Sequence, residues 1–256
     1  MGTLQEALRW LADGSNWQGP DGIPVRVLQH LEVSIVAVLI ACAIAIPLGL
    51  YIGHTRRLQF LAVSIANVGR AVPSFGILVI AYVLVLYVAK GLAFGFTPTV
   101  VALVLLAIPP ILTNAYVGVQ SVDPDTVEAA RGMGIGERRI LWSIEVPLSV
   151  GLIMAGVRTS AVTVVATATL SALIGGGTLG RYIVDGFAQS DNGMIVGGSI
   201  LVAVLAVLTE LTLGWVERLL TPRTRSTDTR RRPRRVGEAT ATAAKVAEPT
   251  DGIGHP

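Results

Sequence analysis

The chain of 256 residues is 52% hydrophobic and only 14% charged, where a soluble domain has about a quarter charged, and its mean hydropathy is +0.65. Several apolar runs of about 20 residues, the length that crosses the hydrocarbon core, exclude a soluble globular protein. A single cysteine, Cys42, excludes an intrachain disulfide, and His30, His54 and His255 are not clustered at metal-ligand spacing, so no metal and no cofactor is expected.

Residues 1–30 are polar, with Trp10, Trp17, Pro20 and Pro24. They lack the basic start, apolar core and small-residue cleavage site of a signal peptide. Leu4, Leu8 and Leu11 recur at helical spacing beside Trp10, which predicts a short helix at the membrane surface. Leu31–Ile52 is the first predicted span. Pro47 and Gly49 bend its end, and Gly49 with Gly53 forms a small-xxx-small pair, a pattern that lets helices approach closely.

Residues 58–89 are too long for one straight crossing at about 1.5 Å per residue. Arg70 and Pro73 divide them. One helix ends at 70, the chain turns over 71–74, and a second helix runs from about Phe75 to Ala89. Lys90–Thr97 is a loop, and Pro98–Val119 is the next span. Pro109 and Pro110 within it cannot both keep helical hydrogen bonds, so a bend or opening is expected. Residues 147–174 form a span rich in Gly, Ser and Thr that ends at Gly175-Gly176-Gly177. In 178–193, Leu179, Ile183, Val184 and Phe187 predict a surface helix, and 194–220 is the last span. Residues 222–256 hold eight Lys and Arg against four carboxylates and almost no large apolar side chain, the composition of a disordered basic tail.

Loop charges set the orientation. With 53–57, 121–146 and the tail on one side, that side collects fourteen Lys and Arg and the other four. The richer side is cytoplasmic. If 58–89 crosses once there are five spans, with residues 1–30 outside and the C-terminus inside; if it crosses twice there are six. The domain division is 1–30 external, 31–221 transmembrane and 222–256 tail.

The longest polar segment between apolar runs is Asp123–Pro147. Asp123 is a good N-cap and Pro124 a favoured first helical residue, so a helix runs to about Arg131. Gly132, Gly134 and Gly136 permit a sharp turn with positive φ. A second helix runs from Glu137 to Glu145, and Pro147 opens the next span. Such a unit is too charged to sit in lipid. It lies on the cytoplasmic face, continuous with a membrane helix, and can pass a displacement into the bilayer.

Within this segment Glu128-Ala129-Ala130, then Gly134, Ile144 and Val146-Pro147 resemble the EAA loop of binding-protein-dependent ABC importer permeases. Val146 departs from the family's preferred leucine. The motifs AVPSFG at 71–76, IPPILTNAYVGV at 108–119, AGVRTSAV at 155–162 and ATLSALIGGGTLG at 168–180 are most similar to permeases for osmoprotectants such as glycine betaine, choline and carnitine. The resemblance spans about 31–190. It implies an all-α, polytopic transmembrane bundle of the type I ABC importer permease kind, set in the cytoplasmic membrane. It implies three partners: a cytoplasmic ATP-binding subunit that docks on the loop, an external solute-binding protein, and a second permease subunit, identical or different. Glu128, Ala129, Ala130, Gly134, Ile144 and Pro147 are then the ATPase-coupling residues. The chain itself has no GxxxxGK[ST] loop and is expected not to bind ATP, so it is a transport subunit and not an enzyme.

For the pathway or gate the candidates are Arg158, Thr159, Thr163, Pro73, Asn114 and Gly176. An arginine about 16 Å along a helix from Pro147 is costly without a partner or water; Glu210 is the candidate partner, and cytoplasmic water the alternative. The Ser and Thr of 147–174 serve as helix contacts or as pathway lining, and Gly175–Gly180 as a gate, a docking site or a helix stop. Quaternary ammonium groups are held in aromatic cages, yet aromatics are 5% here and scattered, which places the high-affinity site in the external protein. Alternative functions are an ABC permease for another small solute such as an amino acid, a secondary transporter, for which only Glu32 and Glu210 supply carboxylates, and a membrane scaffold without transport.

Overall fold

The computed structural model describes residues 2–88, 91 and 95–221, apart from a few side chains on one helix that include Arg70. The chain divides into Met1–Pro222 and Arg223–Pro256, and the second unit, with the expected basic tail, lies outside the described residues. So do Ala89 and Lys90, where a helix end and a loop start were expected.

All regular structure among the described residues is helical. In chain order it comprises α1 (Thr3–Ala12), a 3₁₀ turn (Gly14–Trp17), α2 (Ile23–Thr55), α3 (Gln59–Ala71), α4 (Ser74–Val88) and α5 (Phe96–Gln120). Then come α6 (Pro124–Gly132), α7 (Glu137–Ile140), a π-helical turn (Leu141–Glu145), α8 (Val146–Thr167), a 3₁₀ helix (Ala168–Ile174), α9 (Gly180–Gln189) and α10 (Asn192–Leu220).

The close contacts fix the topology. Gly49 of α2 lies against Leu112, Ala115 and Tyr116 of α5, and Gly53 against Tyr116 and Val119. Numbers rise together, so α2 and α5 run parallel, and residues 56–95 must return the chain to the starting end. They do so in one crossing made of two pieces. Gly69 of α3 touches Pro109, while Leu78 and Ala81 of α4 pack with Ala102. The 15 residues of α4 reach about 22 Å at about 1.5 Å each, short of the roughly 30 Å hydrocarbon core. Both pieces are needed, and Val72-Pro73 joins them, as Pro73 in the sequence indicated.

Next, α8 runs antiparallel to α5, with Gly118 on Ser149 and Gly156 on Asn114. It is antiparallel to α10 too, with Gly151 against Thr221 and Gly214 against Arg158. The result is five crossings, and residues 56–57, 121–145 and 221 gather at one end. Among the described residues four helices are long and apolar enough to cross alone, and α4 is the shorter apolar helix of the remaining crossing. The most enclosed is α5, with 50% of its apolar window buried, and the least is α10, with 17%. Leu28, Ile35 and Leu39 form an exposed apolar stripe on α2, suited to acyl chains.

Three local expectations are corrected. First, α2 begins at Ile23 and not at Leu31. Pro24 sits in its first turn, where a missing N–H costs nothing. Second, of the bend or opening expected at Pro109 and Pro110, the opening is not taken: α5 continues as helix through both, although the two prolines deprive the Leu105 and Leu106 carbonyls of their helical donors. Ser160 Oγ–H donates to the nearby Ala107 carbonyl at 3.1 Å, tying α8 to α5 at this weak point. Third, the span expected to end at Ile174 is α-helical only to Thr167 and 3₁₀ beyond it. The expected surface helices appear as α1 and α9, at the end of the bundle opposite 121–145. They join where the Trp10 and Tyr182 rings meet edge to face, 5.0 Å between centroids.

Candidate functional site

The segment between α5 and α8 folds as a small unit of its own. The Asp123 carboxylate accepts from Asp125 N–H at 3.0 Å, and Pro124 opens α6. At the other end, Ile135 N–H donates to Ala130 O and Gly134 N–H to Arg131 O. This is the Schellman arrangement, which needs a left-handed residue at its turn. Gly134 supplies it with φ 78°. Of the three glycines expected to turn the chain, Gly134 alone has positive φ; Gly132 closes α6 and Gly136 precedes α7 in extended backbone. Val122, Val127, Ala130 and Ile140 form a core beneath it, with Ile135 and Ile144 packed alongside. The second expected helix is only Glu137–Ile140, and the winding then loosens into the π turn that runs straight into α8.

This core divides the coupling candidates. Ala130 is buried and Ile144 half-buried inside the unit, while Glu128, Ala129 and Gly134 are exposed on its surface. Pro147 sits in the first turn of α8.

Polar contacts staple the unit. Arg131 Nε and Nη2 donate to both Glu137 oxygens, at 2.7 and 3.0 Å. This fork raises the Arg131 pKa and lowers that of Glu137, in each case chiefly through the hydrogen bond. His54, at the end of α2, places Nδ1 2.6 Å from Glu145 Oε2 and Nε2 3.4 Å from Glu137 Oε2. Glu145 is only 5% exposed. Sequence reasoning missed this contact, because 91 residues separate the partners. The available signal was a histidine at the end of one predicted span and a carboxylate at the start of another. A cavity of about 290 Å³ lies between this staple and the ends of α2, α5 and α6, with Arg56, Gln120 and Glu128 on its walls.

The pathway candidates do not converge on one spot. Thr159 and Thr163 are exposed on one stripe of α8, and Thr167 continues it. Each hydroxyl donates to the carbonyl one turn earlier, Thr159 and Thr163 at 2.9 Å and Thr167 at 2.7 Å, so the outward surface is methyl-rich. Arg158 faces α10, with Nε 3.4 Å from Glu210 and Nη1 3.0 Å from Glu217. The expected partner is present, and Glu217 is a second that the sequence reading missed. Asn114 is turned back to the Pro110 carbonyl at 2.9 Å and is covered by Gly156. Pro73 lies at the joint between α3 and α4.

Gly176 is at the opposite end of the bundle, buried against Ser171. That end is tied tightly. Gly95 N–H donates to Ile174 O at 3.3 Å, and Gly176 N–H to Ser171 O at 2.8 Å. Tyr182 O–H donates to Asp21 O at 2.6 Å. Among the described residues no cluster of three or more His, Cys, Asp or Glu could hold a metal.

Residues 45–226 match the family described as "Binding-protein-dependent transport system inner membrane component". The carnitine transport permease protein OpuCB of Listeria monocytogenes is 37% identical over 199 residues, covering 78% of this chain and 88% of that one. The glycine betaine/carnitine/choline transport system permease protein OpuCB of Bacillus subtilis (strain 168) is 33% identical over 195 residues, covering 76% and 87%. An inward-facing structure of the MetNI methionine ABC transporter superposes with a TM-score of 0.67 at 20% identity, covering 77% of this chain and 95% of that one. At that identity the likeness concerns the fold.

Proposed function

The chain belongs to the inner-membrane components of binding-protein-dependent transport systems, the permease subunits of ABC importers, and from that premise we propose that it carries a quaternary ammonium osmoprotectant across the membrane. The observation that carries the solute class is the likeness, over three quarters of the chain, to relatives named for carnitine, choline and glycine betaine. The scarcity of aromatic side chains fits a permease that receives its solute from an external binding protein.

The 121–145 end faces the cytoplasm, as does the C-terminus; the excess of Lys and Arg at that end supports this. ATP is hydrolysed by a separate subunit docked on the loop. Glu128, Ala129 and Gly134 form the docking surface, and Ala130, Ile144 and Pro147 hold it to α8. The exposed threonine stripe of α8 meets a second permease subunit or lines the pathway between the two.

Reconstitution with the ATPase and the external protein tests this. ATP-dependent uptake of labelled carnitine, choline or glycine betaine is expected, and Glu128→Ala is expected to leave ATP hydrolysis intact while uptake falls. Uptake that needs no ATPase overturns the mechanism. Uptake of an amino acid in place of the three solutes overturns the substrate class.

A further inference from the structure

The coupling unit carries its own apolar core, so the links that join it to the spans decide where a push on it goes. Two are covalent: α6 continues from α5 through residues 121–123, and α7 continues through the π turn into α8. A third is polar. Among the described residues, every hydrogen bond or ion pair between α2 and 121–145 is made by His54.

The geometry of this link is specific. Glu145 is a buried carboxylate, and a buried charge without a partner is costly. His54 Nδ1, at 2.6 Å, is the only side chain within hydrogen-bonding or ion-pairing distance of it among the described residues. The imidazole itself is held in place, since its side chain is 14% exposed and Gly53 before it lies against the Tyr116 carbonyl and Val119. Its other nitrogen faces Glu137, which is forked by Arg131. A continuous chain of contacts thus runs from α6 through Arg131, Glu137 and His54 to Glu145 at the head of α8. The adjacent cavity of about 290 Å³ leaves the polar side of this junction loosely filled, and the other link between α2 and the unit is apolar, Leu141 against the cluster of Leu50 and Val119.

We propose that His54 is a positioning residue for energy coupling: it pins the coupling unit to the end of α2, so that a displacement of the unit moves the first span together with α8. Without the pin, the unit would keep only its covalent connections and the apolar contact of Leu141 with the Leu50 cluster, which can slide, and α2 would follow less closely. The inference rests on the docking of an ATPase at this unit.

The test uses the full chain reconstituted with its ATPase and external protein, and reads solute taken up per ATP hydrolysed. His54→Ala is expected to retain copurification with the ATPase while uptake per ATP falls several-fold. Glu145→Met, of similar size but unable to accept from Nδ1, is expected to do the same, and the double variant to be no worse than either alone, because both remove one contact. His54→Asn places an amide N–H where Nδ1 stood and is expected to recover most of the coupling, a rescue that a residue serving only to fill space would not give. Unchanged uptake per ATP in His54→Ala overturns the proposal, as do additive losses or a His54→Asn as impaired as His54→Ala. If His54→Ala does not assemble, Glu145→Met and His54→Asn carry the same comparison. Glu128→Ala separates the two levels: coupling lost there but intact in His54→Ala rejects the pin alone, and coupling intact in Glu128→Ala rejects the docking reading beneath it.

Discussion

Replacing Gly134 isolates backbone conformation from packing. Its φ is 78°, and a Cβ built on it would meet nothing within 4 Å. Any penalty therefore comes from the left-handed conformation, which costs a residue with Cβ about 1–2 kcal/mol. At about 1 kcal/mol, Gly134→Ala shifts the equilibrium between the closed and opened turn by a factor of about 5. Asn tolerates this conformation through local hydrogen bonds, and β-branched Val tolerates it least. The expected order of retained function is thus Gly, Asn, Ala, Val. The six-residue core below the turn is small and cannot hold it closed against a large penalty. The assay is uptake at matched membrane abundance, with ATPase copurification as the measure of docking. If Ala and Val match Gly, or if Asn is worse than Val, the Schellman turn does not hold the docking surface and the reasoning fails.

Gly49→Leu is expected to separate α2 from α5, because even a Cβ would lie 2.5 Å from that of Ala115; overpacking of this kind costs about 1–3 kcal/mol, read as a lower unfolding temperature in detergent, whereas Gly76→Ala, with open space around it, should change little. Arg158→Ala leaves Glu210 and Glu217 without their cation and is expected to lower folded yield, with Glu210→Gln and Glu217→Gln together restoring part of it; no restoration would remove charge pairing as the cause. The Arg131 fork depresses the Glu137 pKa, so its contribution is complete above the ordinary carboxylate value and is lost as pH falls through the depressed one. Both groups are exposed, so the effect is small: the wild type should lose slightly more docking than Glu137→Gln on acidification, as followed by ATPase retention on immobilised permease.

Much of this architecture is legible from apolar run length and from proline and glycine. Pro73 marks the joint of the second crossing, which is made of two short helices, and Asp123, Pro124 and Gly134 mark the start and end of α6. The number of crossings is not local information. It follows from α2 and α5 running parallel, which rests on Gly49 and Gly53 meeting residues more than sixty positions away. Arg26, Gln29 and His30 make 24–30 read as part of the polar segment, yet they lie on α2, and His30 Nε2 is 2.8 Å from the distant Val165 carbonyl. The double proline leaves α5 helical, and the Ser160 bond to the Ala107 carbonyl beside it comes from a residue outside any pattern in 98–119. His54 and Glu145 each look like a solvated charge at a span end, and only the fold makes one the partner of the other.

The 3₁₀ helix that follows α8 stores length. A 3₁₀ residue rises about 2.0 Å and an α residue about 1.5 Å, so the 7 residues of Ala168–Ile174 are about 3.5 Å longer than they would be in α form. Rewinding them would draw Gly175–Gly177 toward the bilayer centre by that distance while α8 stayed in register with α5 and α10. This end of the bundle would then shift by about the width of a methyl group without any movement at the far end of the helix.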